Sequence, residues 1–585
     1  MPARVRQVRI AAAETILDRR ENGVIYACHP KPLAPWAPKI TERLEHWAEH
    51  AGHRTFLAER GENGEWQRLS YADTLARVRS VAQALLDRGL SQDRPVAILS
   101  GNSIEHALMA LGAMYAGVLY APIAPAYSLA AKDHTTLRYL WKQFQPGLVF
   151  AAEGPAFERA IDAVATGAEE IVTNESFPDL LATRPTGAVD DAHAKVTPDT
   201  IAKILFTSGS TGHPKGVINT QRMLCSNQEM LQSIMQFLTE EPPVLCDWLP
   251  WNHTFGGNHN FGIALYNGGT LYIDEGKPAG KAFAATVRNL RDIATTAYFN
   301  VPKGFEMLVP YLKEDAAFRD HFFSRVKILF YAAAGLNQRV WDDLKQLAVD
   351  SCGEEILMVT GLGATESSPF ALSTGTEGAA AGRVGLPVPG VELKLVPTDH
   401  KLEARLRGPN ITPGFWRDDE LTRAAYDEEG FYKLGDAVVF VDPEDPLKGF
   451  LFDGRINEDF KLSTGTWVSV GPLRMKFLTH FRGLAQEVVV AGRDRDFVAA
   501  LVFPMPGADP ARFQVSLEEF AALSTGSSTC IERILLLDEA PSADAMEITD
   551  KGSINQKAVL KNRAILVEEL YRGSPRVIEI RGGKP

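Results

Sequence analysis

Apolar positions recur along this chain with two alternating periods, and the alternation outlines a fold. In "SYADTLARVRSVAQALLDRG" the residues Leu75, Val78, Ala82 and Leu85 fall on one helical face. Ser70 and Asp73 make a capping-box-like start, and Gly89 marks the stop. "RPVAILS" then reads as a buried strand, "IEHALMALGAMYAG" as a helix and "VLYAPI" as the next strand. Another helix precedes "PGLVFAAE". The rhythm continues through "KILFTSGS", "GGTLYIDE", "VKILFYAAAG" and "EEILMVTGLG". Short apolar runs alternating with helices predict βαβ units and a parallel sheet covered on both faces. Ligands on such sheets bind in the loops after strand C-termini, where the Gly-rich stretches of this chain lie.

After about Gly382 the pattern shifts to short Gly-, Pro- and Val-rich strands, as in "GRVGLPVPGVELKLVP" and "ARLRGPNITPGFW". It shifts again near "LFDGRINEDFK", beyond which "QEVVVAGRDRDFVAALVF" reads as a hairpin. The expected fold class is α/β. A large N-terminal domain, residues 1–452, carries mostly parallel sheets covered by helices plus a short β-rich subdomain, and a small α+β domain spans 453–585. A chain of 585 residues needs more than one core in any case. No internal repeat or carrier-protein domain is visible.

One segment imitates a membrane span: Ala107 to Ala131 carries no charge. Gly117, Pro122 and Pro125 break it, so a buried helix followed by a core strand explains it better than a span of about 20 helical residues. The Arg-rich start "MPARVRQVRIAAAETI" suits a transit peptide or, through alternating "VRQVRI", an exposed strand.

Composition is that of a soluble globular protein, with 45% hydrophobic and 23% charged residues. Formal net charge is -12 with no long basic run, which argues against nucleic-acid binding as the main task. Any anion must therefore be held by local cations, backbone N–H groups or a metal. The cysteines Cys28, Cys225, Cys246, Cys352 and Cys530 are odd in number and widely spaced, which points to a reducing compartment such as the cytoplasm.

The strongest chemical signal is "ILFTSGSTGHPKGV". A strand runs into Thr207, Ser208, Gly209, Ser210, Thr211 and Gly212, and Lys215 follows. Glycines let the backbone close on a phosphate, the hydroxyls donate hydrogen bonds and the lysine adds charge. Neither a G-K-[ST] ending nor a G-x-G-x-x-G order is present, so the loop is neither a Walker A loop nor a dinucleotide fingerprint.

This loop resembles the phosphate-binding signature of the adenylate-forming enzymes, which include acyl-CoA synthetases, peptide-synthetase adenylation domains and luciferases. Further segments, over about residues 40–575, carry the same resemblance. "VTGLGATESS" is similar to a second family motif, in which Thr365 would contact the α-phosphate and Glu366 would hold Mg²⁺; Leu362 stands where the family usually has an aromatic residue. "FYAAAGL" resembles the adenine-binding turn, with Ala333, Ala334 and Gly335 small enough to carry a base. "GFYKLGD" resembles the ribose motif, with Asp436 accepting from two hydroxyls. "FDGRINEDFK" resembles the domain junction. There Arg455 would touch ribose or phosphate, Lys461 is counted with the nucleotide-binding positions, and Asn457 occupies the hinge position that usually holds Asp or Lys.

"WLPWNHTFGGNHNFG" is similar to an L-P-x-x-H segment that places His253 beside the acyl pocket. His253 and His259 lack further ligands at metal spacing, and a buried, hydrogen-bonded His253 is the simpler reading of the residue alone. The family's last motif, T-x-x-G-K-[IL]-x-R, laid on "ITDKGSINQK" puts Ser553 at the lysine position. Ser553 and Gln556 read as a capping box, so Lys551 is the favoured adenylation lysine and Lys557 the reserve.

The resemblance implies ATP, Mg²⁺ and coenzyme A, a small carboxylic acid as substrate and an acyl-AMP intermediate; a homodimer is compatible with the sequence. Three long segments, among them "INEDFKLSTGTWVSVGPLR", are most similar to the feruloyl-CoA synthase group, which implies ferulate or related 4-hydroxycinnamates. A medium- or long-chain fatty acyl-CoA ligase and a catalytically silent nucleotide-binding homologue are the alternatives.

Overall fold

The computed structural model describes residues 3–12, 14–131, 133–207, 214–376, 380, 382–399, 401–542, 545–547 and 554–581. The expected strands form and distribute over separate sheets. A six-stranded sheet runs in the order Lys215–Thr220, Ile201–Thr207, Tyr120–Pro122, Val96–Leu99, Leu148–Ala151, Glu170–Thr173. All its pairings are parallel except the edge pair Ile201–Thr207 with Lys215–Thr220. A four-stranded sheet joins Val244–Asp247 and Thr270–Ile273 to the N-terminal hairpin Thr55–Arg60 and Trp66–Ser70. An eleven-stranded sheet begins with parallel Ala297–Asn300, Ile328–Tyr331 and Leu357–Leu362 and continues antiparallel through the Gly- and Pro-rich strands to Ile25–Cys28 and Ile16–Arg19.

The uncharged segment is a helix, Ile104–Ala116, buried on all sides and closed by Gly117 in the left-handed conformation. Among the described residues no helix is long and apolar enough to cross a membrane. Helix Tyr71–Asp87 starts at Ser70, whose side chain accepts from the Asp73 N–H. It buries Val78, Ala82 and Leu85 as the pattern predicts, with Leu75 at the margin. The N-terminal residues are part of the fold: Arg4–Val5 pairs with Glu354–Glu355, and Arg6 bonds Glu354 at 2.9 Å.

The chain has a two-domain α/β architecture, a large mixed-sheet domain covered by helices and a smaller C-terminal α+β domain. The latter is built on strands Ala485–Ala491, Val498–Pro504, Ile531–Leu536 and Val577–Glu579 with its own apolar core. The "QEVVVAGRDRDFVAALVF" hairpin supplies its antiparallel pair Ala485–Ala491 with Val498–Pro504, at one edge of the sheet. All five cysteines are free. One local expectation needs correction. The helix expected from Ser553 starts later than the capping-box pattern implies: helix Gln556–Asn562 is capped by Asn555, whose side chain accepts from the Ala558 N–H, and a separate helix, Ala564–Arg572, follows it. Gln556 instead turns inward and bonds both backbone groups of Val490.

Candidate active site

Strand Ile201–Thr207 and its antiparallel partner Lys215–Thr220 are in register from Thr207 opposite Lys215, so the strand ends present both residues at the root of the loop they flank. Ser208, Gly209, Ser210, Thr211 and Gly212 lie outside the described residues. The Thr207 hydroxyl is buried and lacks a hydrogen-bond partner among the described residues. Such a group is costly to leave unmet unless a ligand supplies the partner.

Lys215 reaches across to Glu366, with Nζ 2.6 Å from Oε1. Burial pushes the Glu366 carboxyl upward, but the Lys215 ammonium and the Tyr432 hydroxyl outweigh it and hold the group below the usual carboxylate range. The lysine also sits 4.5 Å from the centre of the Phe415 ring. Thr365 and Glu366 occupy a short turn, Thr365–Ser367, directly after strand Leu357–Leu362, and both are buried. Leu362 ends that strand, also buried. The segment after Asn410 fastens this turn to the lysine strand: Thr412 N–H donates to Glu366 O, and its hydroxyl donates to Ile218 O.

Asp436 and Arg455 face each other across the strands Tyr432–Phe440 and Phe450–Arg455, with Nε 3.3 Å from Oδ1. Asp436 raises the Arg455 guanidinium, and Glu366 and Tyr432 act in the same direction. One charged cluster therefore joins Lys215, Glu366, Tyr432, Asp436 and Arg455. Ala334 and Gly335 follow strand Ile328–Tyr331 on an exposed turn that starts with Ala333 at φ 76°. Met475 of the small domain lies over it, so a Cβ on Gly335 would stand 3.0 Å from Met475 Cε.

His253 sits in the turn before a stretch of π-helix, Phe255–Asn260, and its Nδ1 accepts from the Phe255 N–H. His259 is packed among Phe255, Phe299, Phe330 and Phe370, and burial lowers its imidazole to about 4. Among the described residues no group of three or more His, Cys, Asp or Glu side chains could hold a metal. Trp251, Phe255 and Phe261 are buried beside His253.

Lys461 is not brought to this cluster; its Nζ lies 4.8 Å from the centre of the Trp467 ring on the small hairpin. Lys551 and Ser553 lie outside the described residues. Lys557 is exposed on its helix, its amine lowered by partial burial and by Arg493, with Glu458 of the junction opposing. Asn457 is exposed in the turn after strand Phe450–Arg455. Tyr432, Thr412 and Phe415 were not singled out by sequence. The only signal for Tyr432 is its place in "GFYKLGD", four residues before Asp436.

A family model described as AMP-binding enzyme matches residues 44–416, and one described as AMP-binding enzyme C-terminal domain matches 460–575. The chain belongs to the AMP-binding enzyme family. As a member it is an adenylate-forming, acid-activating ligase, which sets the silent reading aside. A 3-[(3aS,4S,7aS)-7a-methyl-1,5-dioxo-octahydro-1H-inden-4-yl]propanoyl:CoA ligase of Rhodococcus jostii is 27% identical over 413 residues, 67% of this chain and 76% of that protein. The 4-coumarate–CoA ligase 2 of Oryza sativa subsp. japonica is 27% identical over 499 residues, 77% of this chain and 81% of its own. The solved structure of the anthranilate CoA ligase AuaEII with anthranoyl-AMP superimposes with a TM-score of 0.74 at 19% identity, covering 92% of this chain and 99% of the other. That likeness establishes the AMP-binding fold.

Proposed function

We propose that the enzyme joins ferulate or a related 4-hydroxycinnamate to coenzyme A through an acyl-AMP intermediate, with ATP as the adenylate donor. The observation that carries this reading is the ion pair of half-buried Lys215 with buried Glu366 at the root of the Thr207 loop, continuous with Asp436 and Arg455. Adenylation needs charge neutralisation around a phosphate more than covalent help. Lys215, Thr207 and the loop Ser208–Gly212 would hold phosphate oxygens, Thr365 the α-phosphate, Asp436 and Arg455 the ribose, and Ala334, Gly335 and Leu362 the base. His253 would position the substrate carboxylate.

Mg²⁺ suits the donor set, a buried hard carboxylate at Glu366 beside phosphate oxygens, and when bound would supply further neutralisation there. The domains divide near residues 452–453, with Asn457 as the hinge that exchanges the adenylating lysine, Lys551, for the thiol of coenzyme A. The aromatic walls Trp251, Phe255 and Phe261 and the rice relative support an aromatic acid. The free cysteines suit a cytoplasmic enzyme.

Pyrophosphate release from ATP with a panel of acids, with and without coenzyme A, tests the reading. Release with ferulate or coumarate, and thioester formation only with coenzyme A, is expected. Release with palmitate and not with either hydroxycinnamate would replace the substrate with a fatty acid. Lys551→Ala should lower acyl-AMP formation far more than thioester formation from supplied acyl-AMP; the same result from Lys557→Ala alone moves the role to Lys557.

A further inference from the structure

Strand Ile201–Thr207 is buried along its middle, yet it carries a lysine there. Lys203 is 3% exposed. Its Nζ donates to Gly257 O at 3.1 Å and lies 5.8 Å from the centre of the Tyr120 ring. Among the described residues no carboxylate pairs with it, and two of its three donors have no acceptor. A buried ammonium left in that state is expensive, and burial lowers its amine to about 7.

Beside it is a cavity of about 30 Å³, lined by Lys203, His106, Tyr120, Gln228, Trp251 and Asn258 among others. His106 is equally buried. Its Nδ1 bonds Gly101 O at 2.9 Å, so Nδ1 carries the proton and Nε2 is left as an acceptor. Among the described residues Nε2 has no partner. The Trp251 ring stands edge-on to His106 at 5.1 Å and closes one wall. The cavity thus offers unused donors on Lys203 and an unused acceptor on His106 within a largely apolar wall, which also carries Gln228 and Asn258, whose side-chain oxygens are buried and lack a partner among the described residues. That pairing suits a hydroxyl, which donates and accepts at once, and suits an alkyl chain poorly.

Its position fits the acyl end of the reaction. Gly257, which takes the lysine's bond, is one turn past His253, and its N–H donates to His253 O at 2.8 Å. Lys203 is four residues before Thr207 on the same strand, about 13 Å from the phosphate loop at strand rise. That is the scale of a phenylpropenoate rather than of a short acid.

We propose that this cavity seats the ring hydroxyl of the acid, which accepts from Lys203 Nζ and donates to His106 Nε2, making Lys203 and His106 the specificity-determining residues. The inference rests on the hydroxycinnamate reading above and names the part of the substrate the protein selects.

The test is the ratio of kcat/KM for 4-coumarate to that for cinnamate, which lacks the hydroxyl, measured by pyrophosphate release. The wild-type ratio should favour coumarate by about 100-fold or more, since a site built to bond a hydroxyl rejects the analogue without it. Lys203→Met keeps the length of the side chain and removes the donor; His106→Phe keeps a ring and removes the acceptor. Each should cut the ratio by about ten-fold or more, with most of the loss on coumarate. Cinnamate turnover and a thermal melt report whether each variant is folded.

If neither folds, the wild-type ratio decides alone: a value near one overturns the proposal. An unchanged ratio in a folded variant also overturns it and leaves the cavity to a buried water. If the wild type turns over decanoate and no hydroxycinnamate, the substrate reading itself fails, a result distinct from an unchanged ratio in an enzyme that does use coumarate.

Discussion

Lys215 and Glu366 are 151 residues apart in sequence and 2.6 Å apart in space, and the pair governs the charge of the candidate nucleotide site. Because the folded-state value of Glu366 lies below its ordinary one, its charge persists as pH falls through the usual carboxylate range and is lost only beneath it. Lys215→Met removes the partner that opposes burial, so the carboxyl should rise. Pyrophosphate release is expected to fall by about 10²–10³-fold, and the acid limb of the residual rate should move to higher pH. A pH–rate profile of the variant checks both. Asp436→Asn should weaken ATP binding by about ten-fold or more, read as KM for ATP, because it removes a charge-assisted acceptor facing Arg455. Motif residues such as these were legible because their types are chemically unusual where they stand. Lys203 was written equally plainly, a charge inside "IAKILF", but a strand period averages over one deviant position and passes it by.

At the scale of elements, the π-helix Phe255–Asn260 aligns the candidate acyl-site residues. π-helical stretches are rare and tend to occur where a side chain must be re-aimed. Here two glycines permit it: a Cβ on Gly256 would stand 2.3 Å from Leu249 O, and one on Gly257 would stand 2.2 Å from Trp251 O. Gly257→Ala should therefore displace Trp251 and cost about 1–3 kcal/mol, measurable as a lowered Tm together with loss of acid activation. No local pattern announced the π geometry, since "FGGNHN" reads as a turn. Which strands share a sheet was hidden for a related reason. Strand Thr270–Ile273 pairs with Thr55–Arg60, and nothing in the period of either segment encodes a partner so distant.

For the whole molecule, the proposed junction between domains carries a buried ion pair. Lys401 Nζ lies 2.6 Å from Asp459 Oδ2, and both side chains are almost fully enclosed. Asp459 also accepts from the Val470 N–H, the start of the small-domain helix that passes over Gly335. Removing one partner of a buried pair costs about 3–5 kcal/mol, so Lys401→Met should loosen the junction. Faster amide exchange from Ile456 to Phe460, with the core of the large domain unchanged, is the expected readout. The change of texture near "LFDGRINEDFK" sets this segment apart in the sequence, but its tie to Lys401 does not show there, because Lys401 lies in a strand well before it.

The N-terminal strand adds a constraint in time. Arg6 bonds Glu354 across 348 residues of chain, and Ile25–Cys28 must find Glu392–Thr398, later still. At a ribosomal rate of about 5–20 residues per second, the first strand waits about 20–70 seconds for its partner. During synthesis the N-terminus is thus a loose end, and the large domain closes only after most of the chain has left the ribosome.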